Sequence, residues 1–126
     1  MKGLVLDAGA LIAVDRGGQK IQTLLKTAKQ HKFAAFVPAN AVTQAWRDGT
    51  KQALLAKFLK EPWVRVVPVD EALARAAGLL LGKSGGSDAV DASVVVTAVK
   101  VGVTRIVTSD PGDIAKLGPD LDLIVI

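Results

Sequence analysis

The chain has 126 residues and a net charge of +4; half of its residues are hydrophobic and 22% are charged. That length and composition fit one domain over residues 1–126 with a core of its own, and they exclude a disordered chain. Cysteine is absent and histidine occurs once, which excludes disulfide scaffolds, thiol nucleophiles and multi-histidine metal sites, so any metal must be held by oxygen.

Gly3-Leu4-Val5-Leu6-Asp7 is a short apolar run suited to a buried strand. Asp7-Ala8-Gly9-Ala10 opens a helix that reaches about Asp15 and breaks at Gly17-Gly18. Ile21, Leu24, Leu25 and Ala28 recur at helical spacing, with Lys20, Lys26, Lys29 and Lys32 on the polar side. These lysines read as a solvated face, and His31 as a surface residue at the helix end. Ala34–Val37 is a second strand, stopped by Pro38, which also suits a helix start.

The next predicted helix runs from Ala39 to about Arg47 with Val42, Ala45 and Trp46 inward, and Asp48-Gly49 closes it. Lys51–Lys60 is a further amphipathic helix, with Leu54, Leu55, Phe58 and Leu59 inward and Pro62 as its stop. Val64–Val67 is a third strand, and Asp70 caps a helix from Glu71 to Leu81. Gly82–Gly86 reads as a loop, and Ser87 as the cap of a helix reaching Lys100 before Gly102. Val94-Val95-Val96-Thr97 favours a strand by propensity, but about fifteen residues between glycine signals is too long for one ordinary strand. Arg105–Thr108 is the fourth strand, Pro111–Leu117 a short helix, and Leu123–Ile126 a terminal strand. This alternation predicts an α/β domain whose mainly parallel sheet of four to five strands carries helices on both faces. No run approaches the length of a membrane span, and Asp7 interrupts the apolar segment Gly3–Val14, so a cytoplasmic protein with no membrane partner is expected.

Ten of the twelve acids are Asp. Helix surfaces favour Glu, whereas Asp belongs at caps, turns and metal sites. In a parallel α/β sheet, functional groups gather beyond the carboxyl ends of the strands. Asp7 and Asp110 end the first and fourth strands, and Asp88 and Asp91 share one face of the first turns of the helix that leads into the fourth. Gln44 lies within two turns of the same rim. Four carboxylates brought together repel and raise one another's pKa, which Mg²⁺ or Mn²⁺ would relieve, and such ions serve phosphoryl displacement. Capping alone is the competing explanation for Asp7, Asp88 and Asp110. Asp91, read as one turn inside its helix, is less easily explained that way.

Leu6-Asp7-Ala8-Gly9-Ala10-Leu11, Val37-Pro38 with Gln44-Ala45-Trp46-Arg47, Ser87-Asp88-Ala89-Val90-Asp91-Ala92 and Val107-Thr108-Ser109-Asp110, in this order and over essentially the whole chain, resemble the PIN-domain nucleases, and among them the VapC toxins of bacterial toxin–antitoxin pairs. The resemblance implies a PIN-like fold and a Mg²⁺- or Mn²⁺-dependent endoribonuclease that hydrolyses single-stranded RNA. It also implies a cognate antitoxin as partner and a homodimer. On this resemblance Asp7, Asp91 and Asp110 are the catalytic and metal-binding acids, with Asp88 beside them. Thr108 and Ser109 offer hydroxyls, and Arg47 a fork for phosphate, against the simpler reading of Arg47 as a solvated charge at a helix end. The family's usual Glu after the second strand is matched by Gln44, whose amide supplies neither charge nor a base. Two alternatives stay open: a degenerate PIN domain that binds RNA or protein without cleaving, and a metal-dependent hydrolase acting on DNA. A receiver-like domain fits less well, because Asp7 is single and no late Lys ends a strand.

Overall fold

The computed structural model describes residues 2–126. Its elements are β1 (Gly3–Leu6), α1 (Ala8–Asp15), α2 (Gln19–Gln30), β2 (Ala34–Pro38), α3 (Ala39–Ala45), α4 (Ala53–Leu59), β3 (Val64–Val67), α5 (Glu71–Ser84), α6 (Ala89–Val101), β4 (Arg105–Thr108), α7 (Pro111–Leu117) and β5 (Asp122–Val125). The strands form one sheet in the order β3-β2-β1-β4-β5, and every neighbouring pair is parallel. The expected α/β architecture with a parallel sheet is therefore present, with five strands.

Strand pleating sends alternate residues to opposite faces, and each face builds its own core. Leu4, Leu6, Ala35, Val37 and Val107 join α1–α4 on one side. Val5, Phe36 and Ile106 join α5–α7 on the other. Burial on both faces explains why these strands read as continuous apolar runs. The chain steps outward from β1 to β2 and β3, then returns past β1 to add β4 and β5. The switch point of the sheet is therefore the gap between the carboxyl ends of β1 and β4, the place where α/β sheets bind ligands.

Several boundaries differ from the sequence expectation. The run Gly82–Gly86 is not all loop: α5 continues to Ser84, and Gly85 ends it in the left-handed conformation at φ 73°. Asp88, not Ser87, caps α6. The helix expected to reach Arg47 stops at Ala45, because the N–H groups of Arg47 and Asp48 both turn to Gln52 Oε1, at 2.7 and 2.8 Å. Gln52 Nε2 in turn donates to Ala45 O at 3.0 Å and Asp15 Oδ2 at 3.2 Å. This buried amide knots the α3–α4 connection to the end of α1, and α4 starts only at Ala53. Leu54, expected inward, is 47% exposed. The β-branched run Val94–Thr97 is helical, held between the Asp88 cap and Gly102 and anchored by the buried Val94, Val95, Thr97 and Ala98. Lys29, read as part of a solvated face, pairs with Glu61 at 3.1 Å.

Candidate functional site

Asp7 follows the last residue of β1. Its backbone N–H donates to the Val107 carbonyl at 3.2 Å, which ties it directly to β4. Its Oδ1 accepts from the Ala10 N–H at 2.8 Å and so caps α1. The residue is buried, with 4% of its surface exposed. Burial raises the Asp7 carboxyl above its ordinary range, and the Asp110 carboxylate adds to this. The Thr108 hydroxyl and the amides of Ala10 and Gly9 act in the opposite sense.

Thr108 is fully buried at the end of β4. Its hydroxyl favours the ionised Asp7, while its Oγ1 accepts the Asp110 N–H at 3.0 Å. One hydroxyl thus stands between the two strand-end acids. Asp110 precedes α7 in the position of a cap, yet its side chain makes no capping hydrogen bond. Its exposed carboxylate is left without that structural duty. Ser109 lies over α1: a Cβ built on Gly9 would meet Ser109 Oγ and stand 3.5 Å from Asp7 Oδ1. Only glycine leaves room for that closure.

Asp88 caps α6 by accepting the Asp91 N–H at 3.0 Å. Because the helix begins at Ala89, Asp91 occupies the third helical position. It is therefore nearer the helix start than the sequence reading placed it, in a position where acids are favoured. Even so, its carboxyl is pushed up to about 7, first by burial and then by Asp88, Asp7, Asp113 and Asp110. Repulsion and burial outweigh the helix-end field. Asp7, Asp88, Asp91 and Asp110 thus lie in one electrostatic neighbourhood. Asp113 belongs to it as well, although the sequence offered only its position near the start of α7. The offset from Asp110 to Asp113 on one helix was the available signal.

The supporting candidates are placed less uniformly. Gln44 lies in the last turn of α3, exposed, with no side-chain hydrogen bond among the described residues. Arg47 Nη1 donates to Thr43 O at 3.0 Å and Trp46 O at 2.8 Å, so its charge covers the carbonyl end of α3. Asn40, one turn before Gln44, was not singled out by sequence. Its Nδ2 donates to Ser93 Oγ at 2.8 Å, pinning α3 against α6. Beside the acid rim, Ser87, Asp88, Asp113 and Lys116 line a cleft of about 260 Å³.

No group of three acids among the described residues is preassembled into a metal cage. The donor set nevertheless suits a hydrated hard cation. Mg²⁺ keeps several of its waters and binds through one or two carboxylates, and after burial it is the repulsion of Asp88, Asp7, Asp113 and Asp110 that raises Asp91.

No protein-family model matches the chain, and no curated protein matches it in sequence. Its structure is similar to solved structures of toxin–antitoxin proteins. VapBC2 from Rickettsia felis, bound to a DNA fragment from its promoter, aligns at TM-score 0.73 and 14% identity over 98% of both chains. VapC20 from Mycobacterium tuberculosis, described as a toxin that cleaves the sarcin–ricin loop, aligns at TM-score 0.75 and 17% identity over 91% of this chain and 95% of its own. FitAcB from Neisseria gonorrhoeae aligns at TM-score 0.65 and 19% identity over 96% of both chains. At such identities it is the fold that is shared, over nearly the full length of each chain. The chain therefore has the PIN-like fold of the VapC and FitAB toxin–antitoxin proteins.

Proposed function

We propose that this chain is the ribonuclease toxin of a toxin–antitoxin pair, an endoribonuclease that hydrolyses single-stranded RNA with Mg²⁺ or Mn²⁺. The observation that supports the reading is the Asp91 carboxyl, pushed up to about 7 first by burial and then by Asp88, Asp7, Asp113 and Asp110, beside the β1–β4 switch point. Its likeness to VapC20, described as cleaving the sarcin–ricin loop, supports an RNA substrate. Its likeness to FitAcB and VapBC2 supports a cognate antitoxin as partner. A homodimer follows from the family resemblance.

Asp7, Asp91 and Asp110, with Asp88 beside them, would hold the cation. When bound, Mg²⁺ or Mn²⁺ activates water and stabilises the charge that develops during in-line displacement at phosphorus. The chain's own groups prepare that place. Thr108 and the Ala10 N–H fix the Asp7 carboxylate, and burial keeps it from bulk water. Asp110 is free of capping duty. Ser109, whose hydroxyl lies over Gly9, stands between Thr108 and Asp110 and would offer that hydroxyl to phosphate or to the cation's water.

A second reading, a PIN-like module that binds RNA or protein without cleaving, is favoured by one observation: the neutral, exposed Gln44 stands where the family resemblance calls for Glu. An RNA cleavage assay with Mg²⁺ or Mn²⁺ separates the two. The nuclease reading expects cleavage by the wild type and a loss of about 100-fold or more in Asp7→Asn and Asp91→Asn. Undiminished cleavage by both variants refutes it. An inactive wild type restored by Gln44→Glu establishes the second reading.

A further inference from the structure

At the amino edge of the sheet, opposite the acid rim, the charge reverses. Lys2, Lys32 and Arg65 surround a depression of about 460 Å³ whose floor is Ala34, Phe36 and Val101. All three cations are exposed, and none has an acidic partner among the described residues. The backbone fixes where each one stands. The Ala34 N–H donates to the Lys2 carbonyl at 2.9 Å, which sets Lys2 beside the start of β2. Arg65 is the register partner of Phe36, so it rises next to that ring. Lys32 follows the C-terminal end of α2 at φ 60°, the one non-glycine residue with positive φ among those described. That position after a helix usually falls to glycine or asparagine, and a lysine there costs backbone energy that its side chain does not recover locally.

Three like charges around an apolar floor repel one another, and the low-dielectric floor strengthens their pull on an anion. The stems rise beside three adjacent strands, with Lys2 just before β1, Lys32 two residues before β2 and Arg65 on β3, so the row crosses two inter-strand steps, about 10 Å. This is wider than a single phosphate group and suits successive phosphates of a chain. Lys2 and Asp7 stand at opposite ends of β1, about 16 Å apart along the strand, so an anion held here lies away from the acid rim.

We propose that this amino-edge depression is a second nucleic-acid site, in which Lys2, Lys32 and Arg65 hold successive backbone phosphates of an RNA strand. The site does not depend on cleavage, and its test leaves cleavage out. A labelled single-stranded RNA 20-mer is titrated by fluorescence anisotropy in EDTA at several salt concentrations. The variants are Lys2→Gln/Lys32→Gln/Arg65→Gln and a charge-matched control, Lys20→Gln/Lys51→Gln/Lys83→Gln. The site triple weakens binding at least about tenfold at 0.1 M salt and lowers the slope of log K against log salt by about 2. The control changes both much less. Lys32→Gly alone raises the melting temperature, because glycine relieves the backbone, and yet weakens RNA binding. The proposal is overturned if the control triple weakens binding as much as the site triple, or if the site triple leaves binding and slope unchanged. It is also overturned if inorganic pyrophosphate binds this edge as tightly as the RNA does.

Discussion

Asp88 accepts the backbone N–H of Asp91 at 3.0 Å, and the same carboxylate pushes the Asp91 side chain toward neutrality. One residue thus starts the helix and helps to charge the site. The cap brings Asp91 to the first turn of α6, where it faces Asp7 from β1 and Asp110 and Asp113 from the start of α7. Local helix chemistry and sheet topology converge on the same few carboxyls.

The first consequence concerns pH. In an unfolded chain Asp91 ionises near pH 4; in the folded chain it does so at about 7. Between those values the folded protein holds a proton that the unfolded chain has released. Metal-free stability therefore falls as pH rises from about 4 to 7 and levels off above that. Asp7, also raised, adds in the same direction. Thermal unfolding in EDTA should show wild type less stable at pH 8 than at pH 5. Asp91→Asn should flatten this dependence and exceed wild type at pH 8. A wild type as stable at pH 8 as at pH 5 would contradict the raised Asp91 carboxyl.

Gly9 allows a background test. Alanine in a helix interior is normally better than glycine by about 0.5–1 kcal/mol. Here the added Cβ meets Ser109 Oγ and approaches Ser109 Cβ to 3.2 Å, and such overpacking costs about 1–3 kcal/mol. Gly9→Ala should therefore destabilise wild type and stabilise a Ser109→Gly background. The same sign in both backgrounds, measured by urea unfolding, would mean that Ser109 does not lie over Gly9.

Gln52 makes four hydrogen bonds from one buried amide. Gln52→Ala orphans two N–H groups and a carbonyl, and should cost about 2–4 kcal/mol. Gln52→Glu keeps the acceptor but sets a carboxylate against Asp15 and the Ala45 carbonyl. It should be destabilising at neutral pH and less so near pH 4, when the carboxyl is protonated. Urea unfolding at both pH values checks this, and a Gln52→Glu cost that does not change with pH would argue against the contact with Asp15.

Much of this was legible in the sequence, for definable reasons. The central strands β1, β2 and β4 are buried on both faces, so their apolar runs stood out, and α6 was told from a strand by length. Asp7 and Asp110 followed from strand ends. What escaped was information that the chain carries only after folding. Whether Ser87 or Asp88 caps α6 depends on a two-residue choice between adjacent capping types, and that choice shifts Asp91 by a turn position. Gln52 looks like any polar residue before a helix; its role exists only because the end of α1 lies beside the α3–α4 connection. For Arg47 the sequence leaves two readings, a phosphate contact or a helix-end charge, and folding decides for the second by turning its guanidinium onto the carbonyls of Thr43 and Trp46.

Gln44 is exposed and unbonded among the described residues, so Gln44→Glu should change stability by no more than about 0.5 kcal/mol. If α3 contributes to the rim, the new carboxylate should tighten Mn²⁺ binding. Unchanged Mn²⁺ affinity together with unchanged stability would place Gln44 outside the site.

The most direct test of the acid rim as one cation site is a Mn²⁺ titration, followed by water-proton relaxation, of wild type, Asp7→Asn, Asp91→Asn and Asp110→Asn. The account predicts saturable binding to wild type and a loss of at least about tenfold in affinity for each variant, with all three still folded. Equal Mn²⁺ affinity in wild type and in all three variants would contradict it.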